Sequence, residues 1–206
     1  MRIQEEHTRK GKKHILFVLE HFYPYIGGAE TLFYLLTKSL AVHGYEITVL
    51  TTRHDQNLAK AESIQGVRIQ RINCWNRFAF VGMACIPAIR LAKNTDLIFT
   101  SSYSAAIPAR LAAIIQKKAC FIVFHEVWGN LWFKLPYLSW FQRLIYFGFE
   151  QCILRLKFDR FIAVSKFTQS ALKQKVPVHK IEMIYNGIDY SEFKDFEHQA
   201  PTMFTG

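Results

Sequence analysis

The sequence has 206 residues, half of them hydrophobic and a fifth charged, which excludes a disordered chain and predicts one globular domain. Its formal net charge of +10 favours an anionic partner, such as a phosphorylated ligand, an anionic membrane or a nucleic acid. We expect no nucleic-acid partner, because the sequence contains no recognition-helix, RNA-binding or zinc-knuckle motif.

The amino terminus and the cysteines predict a cytoplasmic protein. The first thirteen residues are charged and polar, without the apolar core of a secretory signal. The four cysteines form no C-x-x-C pair, as expected of free thiols in a reducing compartment. The longest uncharged stretches, residues 78–89 and 97–109, are too short for a helix that crosses a bilayer.

The first elements along the chain are predicted to be a strand, a helix and a strand. Residues 14–19 form an apolar run without polar alternation, which is typical of a strand buried on both faces. From Ala29 onward, apolar residues recur at helical spacing as far as Leu40, and Gly44 is the expected end of this helix. Residues 47–50 are the second predicted strand.

The remaining elements continue this alternation. Residues 56–65 are predicted to form a polar linker or a short helix. After them we expect, in order, a strand at 67–72, a helix at 80–93, a strand at 96–100, a helix at 105–117, a strand at 120–124, a helix at 137–156, a strand at 161–164, a helix at 166–175 and a strand at 181–184. About seven strands separated by helices predict a doubly wound α/β fold with a mostly parallel, Rossmann-like sheet, which binds ligands at the carboxyl ends of its strands.

The loop after the first strand does not fit a dinucleotide site. Gly27 and Gly28 lack the third glycine of the G-x-G-x-x-G fingerprint, and the second strand leads into Arg53 rather than an acidic residue. His125-Glu126 begins like a zinc-binding H-E-x-x-H motif, but Gly129 stands where the second histidine is needed. The sequence also lacks a P-loop and a G-x-S-x-G elbow. We therefore expect neither a bound cofactor nor a metal.

A set of short motifs follows the predicted strands in a fixed order. They are Tyr23-Pro24 and Gly27-Gly28-Ala29-Glu30 after the first strand, Phe124-His125 at the end of the fifth, Ala163-Val164-Ser165 at the sixth, and Asn186-Gly187-Ile188-Asp189 with Phe193 after the seventh. Together they resemble the N-terminal domain of family-4 glycosyltransferases, which have the two-domain GT-B fold. The resemblance divides the chain into a basic tail at 1–13, a Rossmann-like domain at 14–193 and the start of a linker or tail at 194–206.

The resemblance implies a retaining transferase that moves a sugar from a nucleotide-sugar to a glycan or a lipid-linked acceptor, as in polysaccharide or cell-surface glycan synthesis. In the family the N-terminal domain binds mainly the acceptor, a C-terminal domain holds the nucleotide, and no metal is needed. The family's two glutamates separated by seven residues do not occur in this sequence. We therefore expect the C-terminal donor domain to be absent and the chain to be inactive alone, as a fragment or as one subunit of a two-chain enzyme.

Gly27 and Gly28 open the first predicted helix, where free N–H groups and the positive end of the helix dipole favour a phosphate. The resemblance supports contact with the donor diphosphate. The alternative is a tight turn that needs glycine for its dihedral angles. Glu30, in the same turn, either complements the helix dipole or contacts a ligand.

His125, at the carboxyl end of the fifth strand, is the catalytic candidate. In the family the histidine here hydrogen-bonds the donor sugar near the reacting carbon, and imidazole can donate that bond while neutral. The alternative is a loop histidine bonded to the backbone. The acceptor-side candidates are Ser101, Ser102, Tyr103, Glu126, Ser165 and Asn186.

Five of these acceptor-side candidates carry a reservation. Ser165 is also the expected N-cap of the helix at 166–175, and Asn186-Gly187 is also a turn signal. The family often has a histidine near residues 101–103, and this chain has none there. That departure leaves the acceptor class open.

Residues 128–158 mix aromatic side chains with four basic ones. Such a surface is typical of proteins that bind anionic membranes, and it would place this protein at the inner face of a membrane. The alternative is a core helix whose aromatic side chains pack on the sheet. The sequence leaves both interpretations open.

Two other functions also remain open. The chain could be a non-catalytic binding or membrane-recruiting module that kept the fold without the chemistry. It could instead belong to a different GT-B enzyme, such as a sugar-nucleotide epimerase. A sugar transferred to an acceptor, rather than an altered free nucleotide-sugar, separates the transferase from the epimerase.

Overall fold

The computed structural model describes residues 11–187. Of the predicted tail at 1–13, only residues 11–13 are therefore described. The motif residues Ile188, Asp189 and Phe193 and the predicted linker at 194–206 lie outside the described residues.

The strands form one sheet in the order β3-β4-β2-β1-β5-β6-β7-β8. Every neighbouring pair is parallel except β3 and β4. The strands are β1 His14–Val18, β2 Glu46–Thr52, β3 Ala61–Ile64, β4 Val67–Ile72, β5 Leu97–Ser101, β6 Ala119–Phe124, β7 Arg160–Ala163 and β8 Ile181–Met183. This sheet confirms the predicted doubly wound α/β fold.

The prediction of a linker or a short helix at 56–65 is wrong, because Ala61–Ile64 forms an additional edge strand, β3. It pairs antiparallel with β4 through a two-residue turn, in which Gln65 and Gly66 have φ angles of 49° and 82°. Positive φ at both central residues suits the right-handed twist of a hairpin. The buried Arg71 guanidinium pairs with Glu62 and donates to the Tyr23 carbonyl at 3.0 Å, which ties β3 to the loop after β1.

The helices occupy the predicted intervals, with one interruption. They are α1 Gly28–Val42, α2 Arg77–Met83, α3 Cys85–Ala92, α4 Ala106–Gln116, α5 Trp140–Arg155 and α6 Lys166–Lys173, with 3-10 turns at Gly129–Lys134 and Val178–Lys180. The single helix predicted at 80–93 is two helices that meet at Ala84. Pro87 falls in the first turn of α3, where a missing N–H costs no helical hydrogen bond. The Asn76 side chain starts α2 earlier than predicted, by accepting from Ala79 N at 2.8 Å.

The sheet separates two apolar cores. On one face, α1 packs Phe33 against Phe17 and Val49. On the other face, helices α2 to α6 pack around Leu16 and Ile122. Among the described residues, no helix is both long enough and apolar enough to span a membrane.

The face that α1 covers also holds an open apolar groove of about 590 Å³, lined by Phe17, Leu36, Phe99, Phe121 and Ile162 among others. Lys13 and Asp96 are its charged residues. A groove with so little polar chemistry is a weaker candidate for a reaction site than a smaller cavity rich in polar groups.

Candidate active site

The strand order reverses beside β1, and this reversal forms the candidate site. From β1 the chain builds the sheet outward through β2, whereas the strands from β5 onward build it in the opposite direction. The loops after β1 and β5 therefore diverge and leave a crevice at the carboxyl edge. A cavity of about 220 Å³ lies there, lined by Glu20, His21, Ala29, Glu30, Phe33, Arg77, Ser101, Ser102, Tyr103, His125 and Glu126.

His125 is the first residue after β6, and its backbone and ring are both held. Its carbonyl accepts a hydrogen bond of 3.0 Å from Thr168 Oγ1, and its ring meets Phe33 edge-on at 6.0 Å. Its Nε2 atom is buried without a hydrogen-bond partner among residues 11–187. Burial lowers the pKa of His125 below 6.5, against the opposing charges of Glu126 and Glu30. The imidazole of this cavity-lining residue is therefore neutral at neutral pH.

Tyr103 follows β5 and has an unusual backbone. Its φ angle of 74° is uncommon for a residue with a side chain, and such strain concentrates at functional sites. Its ring packs edge-on against Trp132 at 6.3 Å, and its hydroxyl is buried without a partner within the described part of the chain. Burial, followed by the charges of Glu150 and Glu126, raises the pKa of Tyr103, so its phenol stays neutral. A neutral phenol can both donate and accept a hydrogen bond.

Two further charged residues line the cavity and were not predicted from the sequence, Glu20 and Arg77. Glu20 accepts from the Ser104 hydroxyl at 2.5 Å, and its other oxygen lies 3.4 Å from Arg77 Nε. Glu20 lies two residues after the end of β1, so the rule that ligands bind at strand ends could have found it. Arg77 reaches the cavity only through the packing of α2, which the sequence does not display.

The cavity has more acidic than basic groups. Glu20, Glu30 and Glu126 face a single guanidinium among the lining residues, that of Arg77, and this guanidinium already pairs with Glu20. Carboxylates accept hydrogen bonds, whereas a phosphate needs donors and cations. The arrangement suits a ligand rich in hydroxyl groups.

The glycine pair adopts ordinary backbone angles, which removes the tight-turn explanation. Gly27 is extended, with φ of −175°, and Gly28 is the first residue of α1 without a positive φ. A methyl group at Gly27 would overlap the Glu30 carboxylate, whereas one at Gly28 would meet open space. The Glu30 side chain thus folds back against the helix start, so a phosphate that approached Gly27 would meet this carboxylate first.

The other two candidates lie outside the cavity. Ser165 is the N-cap of α6, as predicted, and its Oγ accepts from Thr168 N at 3.1 Å. It is one step from the site, since Thr168 also binds the His125 carbonyl. Asn186 lies at the apolar groove rather than beside His125. Residues 11–187 contain no group of three His, Cys, Asp or Glu side chains placed to hold a metal.

Comparisons with known proteins agree with this architecture. A family model described as Glycosyltransferase Family 4 matches residues 26–192. No curated protein matches the sequence. Sucrose-phosphate synthase from Thermosynechococcus elongatus aligns with a TM-score of 0.69 and 17% identity, over 87% of this chain and 49% of that chain.

Two further solved structures give the same result. Anabaena HepE in complex with UDP and glucose aligns with a TM-score of 0.62 and 18% identity, over 87% of this chain and 46% of that one. A glycosyltransferase from Rickettsia africae aligns with a TM-score of 0.61 and 22% identity, over 90% and 46%. The chain therefore spans about half the length of these proteins. At such identity the likeness is one of fold, and it confirms the predicted Rossmann-like domain of GT-B type.

Proposed function

Because the chain belongs to glycosyltransferase family 4, we propose that its described domain is the acceptor-binding half of a retaining sugar transferase. The donor is a nucleotide-sugar, and the accepting hydroxyl belongs to a glycan or a lipid-linked sugar. The structures of Anabaena HepE in complex with UDP-glucose and with UDP support a donor of this class. The nucleotide itself is held by a second domain.

The observation that carries this proposal is that two residues lining the cavity, Tyr103 and His125, each hold a buried polar atom (Oη and Nε2) without a hydrogen-bond partner among residues 11–187. Leaving such an atom buried and unsatisfied costs about 1–3 kcal/mol. A sugar hydroxyl that bonds to either atom recovers this cost. A ligand that brings several hydroxyl groups therefore fits the cavity better than an apolar one.

The charges of the cavity support a division of labour between two domains. The surplus of carboxylates over the single Arg77 cannot neutralise a diphosphate. Cations from the second domain would meet the donor phosphates, while Glu20 and Glu126 accept hydrogen bonds from acceptor hydroxyls. Gly28 lets that second domain or its donor approach the start of α1, because no atom of residues 11–187, apart from its chain neighbours and the backbone of α1 itself, lies within 4 Å of the position that a Cβ would take there.

His125 acts where the two substrates meet. A neutral imidazole offers a hydrogen bond without adding a charge, and burial keeps this one neutral. Bonded to the donor sugar, His125 would fix its reacting carbon against the acceptor. The phenol of Tyr103 lines the same cavity and would orient the acceptor.

The test is transfer of radiolabelled sugar from nucleotide-sugars to membrane-extracted acceptors, by the chain alone and joined to a family-4 donor domain. We expect transfer by the joined enzyme only, reduced about a hundredfold by His125→Ala. Full activity of His125→Ala would contradict the role of the cavity and favour the non-catalytic module. An altered free nucleotide-sugar without transfer would favour the epimerase.

A further inference from the structure

The first half of α5 carries apolar side chains that the fold leaves in water. Trp140 and Phe141 are 64% and 71% exposed. The α5 patch consists of these two residues with Tyr137, Leu144 and Ile145, all of them exposed. Folded monomers rarely expose so many large apolar side chains together unless they bind something. The alternative of a core helix whose aromatic side chains pack on the sheet is therefore wrong for this half of α5.

The second half of the same helix is the part that packs on the sheet. Glu150, Ile153 and Leu154 are buried. The Glu150 carboxylate accepts from Trp128 N at 2.8 Å and from Gly129 N at 2.7 Å. These bonds anchor the 3-10 turn Gly129–Lys134 under the α5 patch, where Phe133 packs on Trp140 at 5.4 Å. The patch therefore has a rigid base.

Charge distinguishes the possible occupants of the α5 patch. Residues 127–149 contain Lys134 and Arg143 and no acidic residue. The whole chain carries a formal charge of +10, so two copies repel each other, whereas an anionic lipid surface attracts each of them. Tryptophan and tyrosine rings beside lysine are the side chains that settle at the headgroup level of a bilayer.

The α5 patch lies at the same edge of the sheet as the cavity. Strand β6 ends at the carboxyl edge, and α5 returns the chain to the opposite edge, where the parallel strand β7 begins. The start of α5 is therefore on the cavity side. Aromatic contacts connect the two, since Tyr103 meets Trp132 at 6.3 Å and Trp132 stacks on Tyr146 of α5 at 5.2 Å.

We propose that the α5 patch is a docking surface for an anionic lipid bilayer, with Trp140 and Phe141 inserted at the headgroup level and Lys134 beside the lipid phosphates. Docked in this way, the chain holds its cavity next to the lipid surface. This inference stands on exposure and charge alone, so it does not depend on the proposed transferase activity.

The test is co-sedimentation of the 206-residue chain with vesicles of phosphatidylcholine alone, or of phosphatidylcholine and phosphatidylglycerol in equal amounts. We expect binding to the anionic vesicles that weakens as salt rises, because counterions screen the attraction. The double substitution Trp140→Ser/Phe141→Ser should lower the vesicle partition coefficient about tenfold or more, since it removes the inserted apolar surface. Equal binding of the double variant and the unaltered chain, or no binding to anionic vesicles, overturns the proposal.

A matched control uses exposed apolar residues on other helices. Val42 and Ile114 are 78% and 57% exposed, close to the values for Trp140 and Phe141. The variant Val42→Ser/Ile114→Ser should bind vesicles like the unaltered chain. Lys134→Glu should weaken anionic-vesicle binding more than Lys93→Glu, because Lys93 ends α3 at the far edge of the sheet. The proposal is overturned if the two double variants lose vesicle binding equally. It is also overturned if Lys134→Glu and Lys93→Glu lose anionic-vesicle binding equally.

Two further measurements keep the proposal testable. The first applies if the double serine variant fails to fold, and the second applies if the α5 patch binds a second copy of the chain. Quenching of tryptophan fluorescence by brominated lipid should fall in the conservative variant Trp140→Phe, and unchanged quenching contradicts insertion. Sedimentation velocity should show a monomer without lipid. A dimer that Trp140→Ser/Phe141→Ser dissociates would assign the α5 patch to contact between two copies of the chain and overturn the bilayer proposal.

Discussion

The Thr168 hydroxyl donates a 3.0 Å hydrogen bond to the backbone carbonyl of His125, so the first turn of α6 fixes the loop that carries the catalytic candidate. The same turn is capped by Ser165, whose Oγ accepts from Thr168 N at 3.1 Å and lies 2.9 Å from Thr168 Oγ1. The helix cap and the site loop are therefore one hydrogen-bonded unit. A defect in the cap should reach His125 through Thr168.

Thr168→Val keeps the shape of this buried side chain and removes its hydroxyl. We expect the free energy of unfolding to fall by about 1 kcal/mol, because the His125 carbonyl loses its side-chain donor. Ser165→Ala should also cost about 1 kcal/mol, through loss of the cap. The double variant should cost less than the sum, since the two hydroxyls contact each other. Urea unfolding of the three variants measures this coupling, and strictly additive costs would contradict it.

The titration of His125 should report its burial and its acidic neighbours. Its pKa should lie below 6.5, chiefly through burial, while Glu126 and Glu30 act in the opposite direction. Because the folded form binds this proton less readily than the unfolded form, His125 lowers the stability of the fold as pH falls below 6.5. Glu126→Gln removes an opposing charge and should lower the pKa of His125 further.

The measurement is the pH dependence of the imidazole C2–H resonance, assigned by its loss in His125→Gln. The unaltered chain should titrate below 6.5 and Glu126→Gln lower still. The free energy of unfolding of His125→Gln, measured in urea, should fall less steeply with acidification than that of the unaltered chain. A titration midpoint that rises in Glu126→Gln would show that this carboxylate does not act on the ring.

The fold was predictable from the sequence wherever burial is complete. Strands such as β1 have a core on both faces, so apolar residues follow one another without interruption. β3 was missed because it is a short edge strand that alternates exposed and half-buried residues. Its pairing depends on the Gln65-Gly66 turn and on the distant Arg71–Glu62 pair, and neither shows as a local pattern.

The site was predictable where residues directly follow a strand near the point of reversal. Ser101 ends β5, Tyr103 follows it and His125 follows β6. Both strands lie within two positions of β1 in the sheet, and the three residues line one cavity. Asn186 also follows a strand, but β8 is four strands from β1, or about 19 Å across the sheet. Arg77 was missed because helix packing, rather than strand ends, brings it to Glu20.

A substitution at Gly28 should have opposite effects on the stability of the fold and on the binding of a ligand. A methyl group there meets open space and the backbone is helical, so Gly28→Ala should raise the free energy of unfolding by about 0.5 kcal/mol. In an enzyme completed by a donor domain, the same methyl group should obstruct approach to α1 and raise the KM for the nucleotide-sugar.

Gly27→Ala is the matched comparison, because its methyl group must displace the Glu30 carboxylate. We expect Gly27→Ala/Glu30→Gln to have a free energy of unfolding no higher than that of Gly27→Ala. Glutamine has the same length as glutamate, so it meets the added methyl group in the same way. Urea unfolding and steady-state kinetics of each variant provide the two readouts. A stabilised Gly28→Ala enzyme with unchanged KM would exclude a ligand contact at Gly28.

Glu150 should couple the stability of the fold to pH. Burial raises the pKa of Glu150 above 4.5, although the N–H groups of Trp128 and Gly129 favour its ionised form. The folded form therefore binds this proton more readily than the unfolded form. Glu150 then contributes stability as pH falls from neutral toward 4.5, and this contribution is lost as pH rises through the folded pKa.

Glu150→Gln removes this titration and leaves one of the two N–H groups facing an amide nitrogen. We expect a loss of about 2 kcal/mol at neutral pH, from the unsatisfied donor. The gap between the unaltered chain and Glu150→Gln should widen between pH 7 and about pH 5, because only the unaltered chain gains a proton. Urea unfolding at both pH values measures this gap.

Glu182→Gln, at an exposed residue of the edge strand β8, should cost less than about 1 kcal/mol. If the difference in free energy of unfolding between the unaltered chain and Glu150→Gln narrows on acidification, backbone hydrogen bonding rather than burial dominates the pKa of Glu150.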